Sequence, residues 1–131
     1  MKKQKKQVKD LSGAALDYAV ATIEKAGVTG IGTDGKLRSM SSKPFDTPTI
    51  YSPSTNWVQA GEIIDRERIR ITPWDRPKGA PMHGMWGAGI YGFNASPSMA
   101  GIDGETPLIA AMRVYVASKL GNEVDIPDEL C

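Results

Sequence analysis

Between Gly104 and Gly121 the chain carries its own start and stop signals around a segment with hardly any polar side. Thr106 is placed to cap free amides, and Pro107 takes the first helical position, where a missing N–H costs nothing. Leu108, Met112, Tyr115 and Val116 recur on one face, Ile109 and Leu120 lie beside it, and Gly121 ends the run. Such a helix belongs at the centre of a core. With 131 residues, 40% apolar and 24% charged, the chain fits one core of ordinary size.

The other elements must pack around that helix. Leu11-Ser12 predicts an earlier helix, with Ser12 as cap, Leu11 and Leu16 as a hydrophobic staple, and Gly27 as the stop. From Val28 to Ile50 the composition turns to Gly, Ser, Thr, Asp and Pro. Thr33-Asp34-Gly35-Lys36 reads as a tight turn, and Pro44 and Pro48 exclude helix, so a loop with one short strand is expected. Ser52-Pro53 or Ser54 opens a further helix in which Trp57, Ala60, Gly61 and Ile64 fall along one buried stripe. Arg68-Ile-Arg-Ile-Thr72 alternates as a half-exposed strand does, with Ile69 and Ile71 inward. Met85 to Phe93 returns as its antiparallel partner, with Trp86, Ala88 and Ile90 on one face. Gly87, Gly89 and Gly92 within that strand mark a bulge or a close approach, not a dinucleotide fingerprint, which needs its glycines in a strand-to-helix turn. The expected fold is therefore α+β, a small layered α/β sandwich of about three helices on a short antiparallel sheet. Residues 1–7 are expected as a disordered basic arm, 8–121 as a single domain and 122–131 as an acidic tail.

Charge separates the arm from the body. Lys2, Lys3, Lys5, Lys6 and Lys9 are five of 16 basic residues, and the remaining 11 face 15 acidic ones, a net charge of −4 for the body. An arm carrying Lys2, Lys3, Lys5 and Lys6 can meet phosphates, but a solvated tail is the favoured reading. Cys131 is the single cysteine, so neither an intramolecular disulfide nor a cysteine zinc site is available. The basic start lacks the apolar run of a signal peptide, and no segment is long and apolar enough to span a membrane, so a cytoplasmic protein is expected.

Chemistry is sparse. His83 is the single histidine, in a Gly- and Pro-rich loop with no nucleophile motif near it, and no catalytic, metal or cofactor site is expected. Asp65 and Glu67 read as solvated carboxylates, and Arg66, Arg68 and Arg70 as an ordinary outer sheet face that only secondarily suits phosphates. Asn56 and Trp57 can form a ligand ledge, an indole for stacking beside an amide for polar edges, although a core tryptophan is favoured. Trp86 and Arg113 are the other ligand candidates. Arg113 lies in a small, apolar helix, so it pairs with an acid or holds an anion unless it simply faces solvent, the favoured alternative.

Three ordered blocks carry a resemblance: Leu11-Ser-Gly-Ala-Ala-Leu-Asp-Tyr-Ala-Val20; Tyr51-Ser-Pro-Ser-Thr-Asn-Trp57 with Gly61 to Ile69; and Thr106-Pro-Leu-Ile-Ala-Ala-Met-Arg113 with Tyr115-Val-Ala-Ser-Lys-Leu-Gly121. The chain resembles the NinX-like proteins of phages and prophages. That resemblance implies helices flanking a short antiparallel sheet, and it carries over no catalytic residue. The lysine-rich arm and the stretches Val28 to Thr49 and Pro73 to Pro81 depart from the pattern. The function expected is that of a non-enzymatic accessory protein binding a host or phage macromolecule, with counter-defence as one form. The alternative is a binder of a nucleotide or other anion.

Overall fold

The computed structural model describes residues 2–25, 28–31, 35–39, 49–81, 83–90 and 102–131. Along them run β1 (Lys3–Gln7), a short 3-10 turn (Val8–Asp10), α1 (Gly13–Glu24), β2 (Val28–Ile31), β3 (Leu37–Ser39), β4 (Thr49–Ile50) and α2 (Trp57–Glu67). There follow β5 (Ile69–Pro73), β6 (Trp86–Ile90), β7 (Ile102–Gly104), α3 (Pro107–Leu120), β8 (Glu123–Pro127) and a closing 3-10 turn (Asp128–Leu130). The class is α+β as expected, but the strands form three small antiparallel sheets, β1-β8, β2-β3-β4 and β5-β6-β7, where one had been expected.

The segment from 107 to 120 is the central helix. Every residue from Ala110 to Ala117 is buried, which a helix achieves only when neighbours cover all its sides. The β5-β6-β7 sheet lies against it, as do α1 and α2. Thr106 caps it through its hydroxyl oxygen, which accepts from the Ile109 amide at 3.1 Å, and Gly121 ends it at a φ of 88°. Gly104 lets sheet and helix meet closely: a Cβ there would lie 2.5 Å from the Ala110 amide nitrogen.

The hairpin follows its alternation. Ile69 pairs with Ile90 and Ile71 with Ala88, and these side chains, with Trp86, pack on the core. The opposite face carries Arg70 across from Gly89 and Thr72 across from Gly87. β7 adds a third strand, with Asp103 beside Gly87.

Several expectations need correction. The arm is no disordered tail: β1 pairs with β8, Lys5 facing Asp125, because β8 buries Val124 and Ile126 and so fixes an edge for it. The same pairing turns the acidic tail into a strand. α2 begins at Trp57 and not at Ser52 or Ser54, since Asn56 is its cap and accepts from the Val58 and Gln59 amides at 2.9 and 3.2 Å. Its buried residues are Ala60 and Ile63, so Trp57 lies off the stripe, and nothing presses on Gly61. Ser12 does precede α1, yet its hydroxyl makes no cap bond, and the helix ends with Lys25 in the left-handed region at φ 54°. Gly27, Thr33, Asp34, Pro44, Pro48 and residues 91–93 lie outside the described residues.

Candidate functional site

Arg113 is buried, only 6% exposed, and the expected solvent-facing position is wrong. Its guanidinium donates to the Leu11 carbonyl from Nε and to the Asp103 carbonyl from Nη1, each at 2.8 Å, while Nη2 approaches the exposed Glu105 carboxylate at 3.7 Å. The pairing with an acid is thus present but secondary. The residue ties α3 to the entry of α1 and to β7, and its donors are spent on carbonyls. An apolar run on both sides of a lone arginine was the sequence sign of this burial.

A second set of ionisable groups joins all three helices. Arg66 Nη2 donates to Glu24 at 2.8 Å and to the Tyr115 hydroxyl at 3.1 Å, its Nε donates to Glu67 at 3.0 Å, and Lys119 reaches Glu67 at 3.1 Å. The Tyr115 hydroxyl donates to Glu24 in a short hydrogen bond. Hydrogen bonding to Arg66, and then to Lys119, holds Glu67 below the usual carboxylate range, and Glu24 pulls the Arg66 pKa upward. Burial, with the Glu24 carboxylate behind it, raises Tyr115. Glu67 is therefore no free solvated carboxylate. Nor do Arg66, Arg68 and Arg70 share a face, because Arg66 belongs to α2, Arg68 sits in the left-handed region at its end, and only Arg70 is on β5.

Beside this seam Asp17 is buried in α1 and accepts from the Ser54 amide at 2.8 Å. Burial pushes its carboxyl up to about 6 against the opposing pull of that amide. The Ser54 hydroxyl, in a residue only 1% exposed, has no hydrogen-bond partner among the described residues. Tyr51 is pushed up to about 12, by burial first and then by the Glu24 and Asp17 charges.

The four ligand candidates thus have different employments. Asn56 caps α2, Arg113 braces α3, and Trp86 packs inward from β6. Trp57, with the core position overturned, is 58% exposed and lies beside Val58, which is 82% exposed. It rims a groove of about 240 Å³ formed by Ser54, Thr55 and residues 106–109 at the start of α3. Of the arm, Lys2, Lys3 and Lys5 are exposed and Lys6 is half-buried across from Val124, and the Lys5–Asp125 pair at 3.7 Å is solvated at both ends. His83 is exposed, its Nδ1 2.7 Å from the Arg76 carbonyl oxygen.

A further groove, of about 290 Å³, is bordered by Arg70, Thr72, Pro73, Trp74 and Gly87 on the outward face of the hairpin. Trp74 Nε1 donates to the Asp103 carboxylate at 2.8 Å, and the Arg76 guanidinium stands 5.5 Å from the indole centre. Trp74 drew no notice in sequence because it stands in a turn-rich connection without periodicity.

Among the described residues no group of three or more His, Cys, Asp or Glu side chains is arranged to hold a metal ion, and no helix is long and apolar enough to cross a membrane. Two helices against a buried α3, three small antiparallel sheets and an ionisable seam engaged in interhelical bonding define, among the described residues, a small α+β domain braced by its own charges. The family model described as "Bacteriophage P22, NinX" matches residues 7–119, and the chain belongs to that family. The match takes in all of α1 and α2, the hairpin and nearly all of α3, whereas β8 and all of β1 but Gln7 fall outside it. No curated protein matches the chain.

Proposed function

We propose that this NinX-family protein is a non-enzymatic phage or prophage accessory protein that acts in the bacterial cytoplasm by binding a host or phage protein. The observation that carries the reading is the exposed pair Trp57 and Val58 on the first turn of α2. Large apolar side chains exposed together on a rigid, capped helix lower the cost of ordering at an interface, and tryptophan is the commonest residue at the energetic centre of such contacts. The adjoining groove adds depth, with Thr55, Thr106 and the buried Ser54 at its walls. A protein side chain entering it can exchange water for both apolar and hydroxyl contacts.

A photocrosslinking amino acid placed at position 57 tests this in infected cells. One discrete adduct with a host or phage protein is expected, and Val58→Asp should remove it while leaving the circular dichroism of the purified protein unchanged. An adduct that survives Val58→Asp, or no adduct at all, would overturn the reading.

A further inference from the structure

We propose that the outward face of the β5-β6 hairpin is a binding site for a nucleoside phosphate, with the base on Trp74 and the phosphate at Arg70. The surface is separate from Trp57, and the proposal stands apart from the partner-binding reading.

Glycine keeps the face open, and Gly87 borders the groove. Arg70 and Thr72 project from β5, but the residues across from them on β6 are Gly89 and Gly87, so no side chain rises from β6 to fill the face. The indole of Trp74, which follows β5, reaches Asp103 on β7, two strands away. Strands lie about 4.8 Å apart, so that reach crosses the backbone of β6 near Gly87, which pairs with both Thr72 and Asp103. A side chain at position 87 would stand in its way. The indole is thereby fixed before any ligand arrives, by the 2.8 Å bond from Nε1 to Asp103 and by Arg76 over the ring. Trp74 borders the groove and Arg76 does not.

Charge supplies the other half of the recognition. Arg70 is exposed, borders the groove and makes no hydrogen bond or ion pair with another described residue. Four residues along β5 and just beyond it span about 13 Å from Arg70 to Trp74. An extended Arg70 side chain can reach past Thr72 toward the fixed indole, and the Thr72 hydroxyl can donate or accept between them. A fixed indole for a flat ring, a hydroxyl and then a guanidinium with no partner among the described residues form the sequence of base, sugar and phosphate in one nucleotide. The groove volume of about 290 Å³ suits one such unit and no more. Inorganic anions would use Arg70 alone and planar neutral rings Trp74 alone. The nucleoside phosphate uses both.

The unit can come free or as part of a single strand. Titration calorimetry with nucleoside 5′-monophosphates, the matching nucleosides, inorganic phosphate and single-stranded oligonucleotides of increasing length distinguishes these sources. Monophosphates should bind about tenfold more tightly than their nucleosides, and Arg70→Ala should erase that difference while leaving nucleoside binding unchanged. Trp74→Leu should weaken nucleosides and nucleotides alike, and Trp57→Ala neither. Affinity equal for mononucleotide and oligonucleotide identifies a free nucleotide; affinity rising with strand length, with a steeper salt dependence, identifies a strand. Monophosphates binding no more tightly than inorganic phosphate, or Arg70→Ala binding as the parent does with its circular dichroism intact, would overturn the proposal.

Discussion

Arg66 and Arg70 stand four residues apart and end in opposite circumstances. Arg66, at the end of α2, meets Glu24, Glu67 and the Tyr115 hydroxyl, so three helices share its charge. Arg70, on β5, faces a groove floored by glycine and has no partner among the described residues. The residue type is the same, and the surroundings decide its use. Where helices converge, charges find acids and become structure; where the sheet turns outward over Gly87 and Gly89, a charge stays available.

Arg113 tests the structural side most severely. Arg113→Ala strands the Leu11 and Asp103 carbonyls and empties a buried site, so a loss of about 4 kcal/mol of stability is expected in urea denaturation. A loss under about 1 kcal/mol would break the comparison, since the buried arginine would then not be holding the fold.

Asp17 sharpens it through pH. Its folded pKa of about 6 lies above the ordinary value of 3.8, so the native state holds this proton more tightly than the unfolded chain. The stabilisation from that proton is fully present below about 4 and is lost as pH rises through about 6, a swing of about 3 kcal/mol for this one group. Glu67 works in the other sense, its lowered pKa giving stability that fades on acidification. The difference between Asp17→Asn and the parent isolates Asp17: the neutral amide keeps an acceptor for the Ser54 N–H. The variant should be the more stable one at pH 7, and its advantage should vanish near pH 4. An advantage that persists at pH 4 would mean that Asp17 does not titrate in this window.

Gly104→Ala comes next. A methyl group would press on the Ala110 backbone first and on the Ile109 side chain next, and a loss of about 2 kcal/mol is expected as α3 shifts from the β7 strand. Melting curves would show it. A neutral outcome would mean that the join between sheet and central helix is looser than the close approach implies.

What could be read from the sequence depended on whether the cause was local. Thr106-Pro107 and Gly121 bounded α3 correctly because caps act within a few residues, and the Ile69, Ile71, Trp86 and Ala88 pattern predicted the inward face of the hairpin. The β1-β8 pairing joins Lys3 to Pro127, and no local pattern reveals a partner so distant. Lysines there suggested disorder because their backbone partners were out of view. Ser52-Pro53 imitated a cap, but the Asn56 amide oxygen had the better geometry one turn later. The glycines of β6 were read as a bulge or close approach, whereas the register shows that two of them clear a face for Trp74, a consequence visible only once β5, β6 and β7 are side by side.

The smallest expected effect bears most directly on the open side of the comparison. Arg70→Ala removes an exposed side chain with no hydrogen bond or ion pair to another described residue, so its stability should stay within about 0.5 kcal/mol of the parent. Trp74→Phe gives an internal standard on the same face: it deletes the donor to Asp103 but keeps a ring, and about 1 kcal/mol should be lost. Both are read by urea denaturation at fixed pH and salt. If Arg70→Ala cost more than Trp74→Phe, Arg70 would be bracing the hairpin as Arg66 braces the helices, and the two regions would not differ in kind. If it costs nothing, an arginine beside an anchored indole is kept at a position where the fold does not need it. That outcome leaves its guanidinium available to a ligand in the groove.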